Sequence, residues 1–554
     1  MDLLIDLFGY LSIIVHGLTI LAQSLTIGSV FFFSLLARPL APQLGAGGAA
    51  VVRGAQRAAA WSAVALLLCE ATMVTLQSAV LTGTVDLPVS NVLGAEFAVA
   101  GFIKMGIATL IAVLLLVRGS RSPMLLLLPL ALVELAAAIL TTHAVARLNN
   151  RVPLVIAEWL HQVGAALWIG GIPCFLMALA RVQGGAAWLL VGARFSRMSM
   201  VGVACILVSG ITMSVFYVGD AQGFYGTAYG VMVGAKIAMF LMLLGLGGMN
   251  FLLVMRLHAN PATSVLKLRR FAEVEFGIGI SIFCAAASLT SVPPAVDLTQ
   301  ERVSLADIMA RNAPEWPRFS SPDHNALALP SLQAKFDAEA GRHSAAPQAA
   351  FVPGSGELPP RNAADIAWSE YNHHWSGLFV VAIGLLAMTH RAGLRWARHW
   401  PLVFLGLGVF LFFRSDPETW PLGDIGFLAS FRDVEVLQHR FYVLLLAVFA
   451  WFEWRVRATS WDNPHAALVF PLLCAFGGAM LLTHSHAIAN VKDQLLIELT
   501  HTPLALAGIV AGWARWLELR LDPQTDFVRI RIASWTWPAC LLLSGLILLS
   551  YREA

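Results

Sequence analysis

The chain has 554 residues, of which 58% are hydrophobic and 12% are charged, and its formal net charge is +3. This near-neutral balance gives no basis for a nucleic-acid partner. The six cysteines stand singly within apolar runs, without a C-x-x-C pair, which argues against a disulfide framework or a thiolate zinc site. The sequence contains no G-x-x-x-x-G-K-S/T motif, so ATP-powered transport by this chain is excluded.

Apolar windows long enough to cross a bilayer, about 20 residues each, recur along the whole chain. In chain order they lie at about 9–36, 58–82, 97–117, 123–143, 152–180, 198–218, 228–256, 270–292, 374–390, 400–413, 436–454, 464–483, 494–514 and 532–550. The sequence therefore predicts an all-α polytopic membrane protein with about fourteen transmembrane helices. Asp2 and Asp6 replace the basic start of a signal peptide, so we expect the first run to be a retained span.

Lysine and arginine concentrate in alternate loops between the predicted spans. Because positively charged loops face the cytoplasm, both chain termini are predicted on the opposite, periplasmic side. The pattern predicts two partly repeated helical bundles joined by a periplasmic loop, whose Pro-rich stretch 347–360 is typical of a flexible linker. The predicted regions are a four-span bundle at 1–151, a four-span core at 152–292, the loop at 293–372 and a six-span His-rich bundle at 373–554.

Two segments repeat the order histidine, polar turn, E-x-x-H. The repeated residues are His143, Glu158 and His161 in the first copy and His484, His486, Glu498 and His501 in the second. Residues three apart on a helix share a face, so the Glu and His of each E-x-x-H point the same way. This repeat indicates the internal duplication of one helix hairpin.

Further histidines fall near or within the predicted outer half of the spans, namely His16, His373, His374 and His439. Neutral imidazole suits copper, zinc, nickel and iron, and a carboxylate serves as a ligand or orients the ring. Ionisable groups at membrane depth are costly and functional by default, although a single histidine also serves as a helix-to-helix hydrogen-bond donor. We therefore predict metal binding by these histidines with Glu158 and Glu498. One of His373 and His374 completes the C-terminal site, and the sequence leaves open which.

Two methionines flank the same predicted outer loop. Met213 precedes the loop and Met232 follows it. Thioether sulfur prefers Cu(I), which makes both residues candidate Cu(I) ligands. The alternative is that they pack against lipid or neighbouring helices, as most methionines in apolar sequence do.

Five motifs follow one another between about 152 and 292. They are Glu158-Trp159-Leu160-His161, Ala166-Leu167-Trp168-Ile169-Gly170-Gly171, Arg194-Phe195-Ser196, Val208-Ser209-Gly210-Ile211, and Tyr229-Gly230 followed by Lys236. Together they resemble the core domain of the copper-resistance protein D (CopD) family. The segments 368–374, 437–440 and 501–504 resemble the C-terminal extension of longer members.

The resemblance implies a multi-pass protein of the bacterial inner membrane that is not an enzyme. Its expected partners are the lipid bilayer, a copper ion as Cu(I) or Cu(II), and a small periplasmic copper-binding protein. The implied function is movement of copper from periplasm to cytoplasm, or handling of periplasmic copper. The alternative is a membrane electron-transfer protein in which facing histidines bind b-type haem.

Small residues in these motifs are expected to allow close helix approach, as is usual in membrane bundles. The residues concerned are Gly170, Gly171 and Gly210. Lys236 has two possible roles, an anchor near the membrane surface or a partner for a carboxylate such as Glu134.

Overall fold

The computed structural model describes residues 2–84, 88–299, 302–313, 315–329, 362–459, 461, 463–483 and 491–553. In these residues helices are joined by turns, and there is no β-strand. Ten helical segments of the described chain are long and apolar enough to cross a membrane, and two shorter apolar helices accompany them. The predicted class, an all-α polytopic membrane protein, is confirmed, while the number fourteen stays a prediction.

The principal helices each lie within or overlap a predicted apolar run. They are α1 (Asp2–Phe32), α2 (Gly48–Thr84), α3 (Glu96–Arg118), α4 (Met124–Ile139), α5 (Arg151–Ala165), α6 (Ile172–Arg181), α7 (Gly185–Tyr217), α8 (Ala228–Ala259), α9 (Leu266–Leu289), α10 (Ala363–Arg391), α11 (Val403–Arg414), α12 (Val434–Ala458), α13 (Val469–Leu481), α14 (Val491–Arg520) and α15 (Phe527–Leu549). A π-helical turn, Ala166–Gly170, joins α5 to α6. Helices dominate because lipid offers no hydrogen bonds, so each segment must satisfy its own backbone.

Polar side chains mark two of the helix starts. Asn362 accepts hydrogen bonds from the backbone N–H groups of Ala364 and Asp365 and forms a capping box at the start of α10. Asp433 accepts from the N–H groups of Glu435 and Val436 and caps α12. These caps satisfy backbone donors that have no partner within the helix.

The chain divides into two compact units. Unit 1 contains residues 11–221 and 236–297, and unit 2 contains residues 2–10, 222–235 and 298–554.

In unit 1, α1 crosses the π-helical turn at glycine positions. A Cβ atom added to Gly28 would lie 2.3 Å from the carbonyl carbon of Gly170, and one added to Gly170 would lie 2.0 Å from the carbonyl oxygen of Ser24. A Cβ on Gly171 would lie 2.9 Å from the ring of Phe195. At Gly210 an added Cβ would meet no described atom within 4 Å. Gly170 and Gly171 therefore permit close packing, whereas the expectation for Gly210 is wrong because that position faces open space.

In unit 2, aromatic side chains form the centre of the apolar core. The buried rings include Trp400, Phe404, Phe449, Phe470 and Trp537. Phe404 and Phe449 meet edge to face with ring centroids 4.4 Å apart. Such contacts contribute beyond their buried area, and they join α11, α12, α13 and α15.

Buried ion pairs lie beside this aromatic core. Glu453 Oε1 lies 2.5 Å from Arg457 Nε, and Arg515 Nη1 lies 2.8 Å from Glu518 Oε2. Arg391 Nη1 also lies 2.9 Å from Glu518 Oε1. The acidic and basic side chains compensate one another, as buried charges must.

The segment 302–329 packs onto the start of α10. Arg318 Nε forms an ion pair with Glu370 Oε2 at 3.1 Å, and the Trp375 indole N–H donates to the carbonyl oxygen of Phe319 at 3.1 Å. This part of the predicted loop is therefore held against the helical bundle. The predicted flexible stretch 347–360 lies outside the described residues.

The glycine crossing of unit 1 generates a stability prediction. We expect Gly28→Ala and Gly170→Ala each to lower the free energy of unfolding by about 1–3 kcal/mol, because the added methyl groups would overlap backbone atoms. Thermal unfolding in detergent measures the effect, and Gly210→Ala is the matched control that should keep the wild-type Tm. Equal Tm values for all three variants would contradict the close crossing.

Candidate metal site

His373 lies near the start of α10 and contacts two other rings. Its Nδ1 lies 2.8 Å from the carbonyl oxygen of Ser369 and donates a hydrogen bond to it. The imidazole stacks on the ring of Tyr551, with centroids 3.7 Å apart, and meets the ring of His501 edge to face at 6.1 Å. Because Nδ1 carries the hydrogen, Nε2 carries the lone pair that a metal ion needs.

His501 shows the same tautomer on α14. Its Nδ1 donates to the carbonyl oxygen of Ile497 at 2.9 Å, one helical turn earlier. Glu498 lies on the same helix and accepts a hydrogen bond from the Thr502 hydroxyl at 2.8 Å. The lone pair of the His501 ring is therefore on Nε2, as in His373.

His439 is held by a carboxylate. Its Nδ1 lies 2.6 Å from Asp416 Oδ1, and the other oxygen of Asp416 accepts from the Ser415 hydroxyl at 2.6 Å. His373 and His439 also interact electrostatically. We call His373, His439 and His501 the C-terminal histidine cluster. Its rings come from three helices, and each uses Nδ1 in a hydrogen bond that orients it.

Arg440, the residue after His439, fixes the loop that carries Asp416. Its guanidinium donates to the carbonyl oxygens of Phe412, at 2.6 Å, and Trp420, at 3.2 Å, and to the Thr419 hydroxyl, at 2.9 Å. It also lies over the Phe412 ring, 4.5 Å from the centroid. The position of Asp416 relative to His439 is thus held by a buried arginine on the helix of the histidine itself.

Carboxylates surround His439. Asp416, Glu435 and Glu418 all act on it electrostatically. Burial, followed by the charges of Asp416, Glu435 and Asp433, raises the pKa of Glu418 to about 8. Burial and Glu435 likewise raise the pKa of Asp433, against the opposing effect of the backbone amides that it caps. The surroundings of His439 are therefore electronegative and favour a cation.

His374, adjacent to His373, makes different contacts. Its Nδ1 accepts a hydrogen bond from the backbone N–H of Arg318 at 2.6 Å, and its Nε2 donates to the carbonyl oxygen of Tyr551 at 2.9 Å. Both ring nitrogens are thus engaged in joining α10 to the segment 302–329 and to the residues after α15.

In unit 1, the first E-x-x-H motif forms a hydrogen-bonded chain. Ser209 donates its hydroxyl hydrogen to the carbonyl oxygen of Cys205 at 2.6 Å, so His161 Nδ1 donates to Ser209 Oγ at 3.1 Å. Glu158 accepts from the side-chain amide of Gln162 at 3.2 Å. Gln162 stands four residues after Glu158, just as Thr502 stands four residues after Glu498, so the two motifs share one local pattern.

The charges near the unit 1 histidines are of the opposite sign. Lys236 acts electrostatically on His161 and on Glu158. Lys104 acts on His16 and forms an ion pair with Glu70 at 2.6 Å. The carboxylate near Lys236 is therefore Glu158, whereas the groups that act on Glu134 are Lys104 and Glu70.

The remaining predicted residues do not add to a described cluster. His484 and His486 lie outside the described residues, and so does the side chain of His143. Met213 is half-buried on α7 in unit 1, and Met232 is buried on the unit 2 part of α8. Among the residues that the structure describes, no three His, Cys, Asp or Glu side chains are grouped to hold a metal ion. The predicted ligands therefore stay predictions.

The sequence did not predict the roles of three residues at the C-terminal histidine cluster. Arg440 could have been noticed as an arginine inside an apolar run beside a histidine. Asp416 and Tyr551 reach the histidines only through the fold, and their sequence positions carry no comparable signal.

The helices and their buried ionisable groups define a multi-pass, all-α membrane protein. Within it, residues 189–289, which include α8 and α9, match the sequence profile of copper resistance protein D. The resemblance to the CopD family that the motifs predicted is confirmed over these residues. Glu158 and His161 precede the matched residues.

A curated relative matches over a longer stretch. The chain is 30% identical over 163 residues to the copper transport protein CutJ of Bacillus subtilis (strain 168). The alignment covers 29% of each protein, so the chain spans less than a third of that relative's length. No solved structure matches the chain significantly.

The raised pKa of Glu418 predicts a pH-dependent stability. The folded chain holds this proton up to about pH 8, whereas the unfolded chain loses it near 4.5. Between these values the unfolded state ionises first, so the free energy of unfolding falls as the pH rises. We expect the Tm of Glu418→Gln in detergent to fall less than the wild-type Tm across this window.

The control for this pH experiment is Asp424→Asn, which removes an exposed carboxylate from the same loop. It should keep the wild-type dependence of Tm on pH. Identical pH profiles for Glu418→Gln and the wild type would contradict the burial of a protonated Glu418.

Proposed function

We propose that this chain is a non-enzymatic inner-membrane protein that moves copper ions from the periplasm to the cytoplasm. Copper is captured on the periplasmic side by the C-terminal histidine cluster, His373, His439 and His501. The match of residues 189–289 to the CopD profile supports the link to copper, and the similarity to a copper transport protein supports transport. The observation that carries the choice of site is the set of oriented imidazoles, one of which is held by the buried carboxylate of Asp416.

The sign of the nearby charge favours the C-terminal cluster over the histidines of unit 1. Asp416 and Glu435 act on His439, whereas Lys236 acts on His161 and Lys104 acts on His16. A carboxylate attracts a copper cation and an ammonium group repels it, and the low dielectric of the bundle strengthens both effects. His16 and His161 therefore stay outside the proposed capture site.

The spacing of two rings in the cluster fits a shared ion. A metal–nitrogen bond of about 2 Å, added to about 1 Å between that nitrogen and the ring centre, separates two opposed imidazole centroids by about 6 Å. The centroids of His373 and His501 are 6.1 Å apart and the rings meet edge to face, so this distance fits a shared ion once the rings turn their Nε2 atoms toward each other. Hydrogen bonding supports His373 over His374, because both nitrogens of His374 are already engaged. We propose His484 and His486 as further ligands and Glu498 as a supporting carboxylate.

The proposed direction follows from topology and charge. The alternation of basic loops supports a periplasmic location for both termini, and we propose on this basis that the C-terminal cluster is near the outer surface. A membrane potential that is negative inside favours inward movement of a cation by about 2.3 kcal/mol per charge per 100 mV. Met213 and Met232 are proposed Cu(I) contacts, and a small periplasmic copper-binding protein is the proposed source of the ion.

Metal analysis of the purified full chain tests this proposal. We expect His373→Ala and His501→Ala each to abolish most of the bound copper, because each removes an imidazole nitrogen from the shared ion. His465→Ala removes an exposed histidine of unit 2 and should leave the copper content unchanged. An unchanged copper content in both cluster variants, or a haem Soret band that either variant removes, would overturn the proposed copper site.

The carboxylate that orients His439 provides a second test. We expect Asp416→Asn to weaken copper affinity by about 10–100-fold, because the neutral amide is a weaker acceptor for His439 Nδ1–H and does not raise the basicity of the ring. Competition titration with a copper chelator measures the affinity. Glu435→Gln removes one nearby charge but keeps the hydrogen bond from His439 to Asp416, so its loss should be smaller. Equal losses in the two variants would show that only charge matters.

A further inference from the structure

Glu134, on α4 in unit 1, is fully buried, and neither of its carboxyl oxygens has a hydrogen-bond partner among the described residues. Lys104, on α3, and Glu70, on α2, act on it electrostatically. These two residues form an ion pair with 2.6 Å between Lys104 Nζ and Glu70 Oε1, and both side chains are at least nine-tenths buried. Three helices therefore bring two carboxyl groups and one ammonium group into one apolar region.

The charges of these three residues do not balance. If both glutamates were ionised, the group would carry a net charge of −1 with no donor on Glu134. A buried carboxylate that lacks a counter-charge and hydrogen bonds is so unfavourable that it takes up a proton instead. The direct contact assigns the ammonium group to Glu70, which leaves the proton to Glu134.

We infer that Glu70, Lys104 and Glu134 form a binding site for one proton within the membrane-spanning part of unit 1. The proton resides on Glu134 while Lys104 contacts Glu70. When Lys104 turns to Glu134, Glu134 releases the proton and Glu70 accepts one, so the three groups together hold one exchangeable proton in either arrangement. This site is distinct from the C-terminal histidine cluster, which belongs to unit 2.

The other charged residues near α4 are engaged elsewhere. On α5, Glu158 accepts from Gln162 and His161 donates to Ser209. On α1, His16 interacts with Lys104. Lys104 and Glu70 therefore remain the charged groups that act on Glu134. The number of protons held at the site depends on these three residues.

With this site, a proton takes part in transport as a second ion beside copper. This step rests on the proposed copper transport: a proton that exchanges inside the bundle lets the pH gradient, as well as the membrane potential, drive the movement of copper. Buried carboxyl groups that exchange protons are the usual elements of proton relays in pumps and transporters.

Infrared difference spectra of the full chain in lipid vesicles at neutral pH test the proton count. The measured quantity is the C=O stretching band of a protonated carboxylic acid, in the wild type minus each variant. Glu134→Gln should lose one such group. Glu70→Gln should also lose the protonated carboxyl group, although Glu134 is still present. The reason is that Lys104 then pairs with Glu134, which gives up its proton. Lys104→Met should gain one group, because both glutamates then take up protons.

The control is Glu96→Gln, which removes an exposed carboxylate from the helix that carries Lys104 and should leave the band unchanged. A protonated carboxyl group that persists in Glu70→Gln, or one that is absent from the wild type, would overturn the site. Circular dichroism of each variant verifies that the helices are intact.

Copper uptake into vesicles tests the coupling separately. An inwardly directed pH gradient should change the wild-type rate and should not change the rate of Glu134→Gln. If wild-type uptake occurs but ignores the gradient, the coupling is wrong while copper transport stands. If the wild type takes up no copper although the infrared bands follow the expected count, the transport proposal fails and the proton site stands.

Discussion

The cost of placing charge inside an apolar helical bundle decides the state of each ionisable side chain in this protein. At Glu518 this cost is offset by ion pairs with two arginines and by the indole N–H of Trp537. At Glu275 the cost is offset by hydrogen bonds from Trp168 and Asn250. Glu134 has neither kind of partner among the described residues, which makes a proton the remaining means of removing its charge. Identical side chains thus take different chemical roles according to what neighbouring helices offer.

The same constraint distinguishes the two E-x-x-H hairpins. In both, the glutamate accepts from the side chain four residues later, and the histidine uses Nδ1 as a donor. What differs is the charged group that acts on a histidine, which is the Lys236 ammonium group at His161 and carboxylates such as Asp416 at His439. Two E-x-x-H motifs can therefore share their local hydrogen bonds while their ability to attract a cation differs through residues on other helices.

Hydrophobic runs sufficed to predict where the helices lie, because a segment in lipid must satisfy its backbone by itself, and this is a local property. The partners of the histidines are not local. His373 and His374 are indistinguishable in sequence, yet hydrogen bonds from Arg318 and to Tyr551 engage only His374. Gly210 looked like a packing glycine because of its motif, but its surroundings are open, and only the crossing helices could reveal that.

The adjacency of His373 and His374 links the proposed copper site to the segments that cover it. His374 holds the segment 302–329 and the backbone of Tyr551, while the ring of Tyr551 stacks on His373. A displacement of Tyr551 as a whole would change both its backbone contact with His374 and the stacking of its ring on His373. Because one residue contacts both histidines, we expect access to the proposed copper-binding ring and the docking of this segment to change together. Capture of the ion and displacement of its cover are therefore expected to occur as one event.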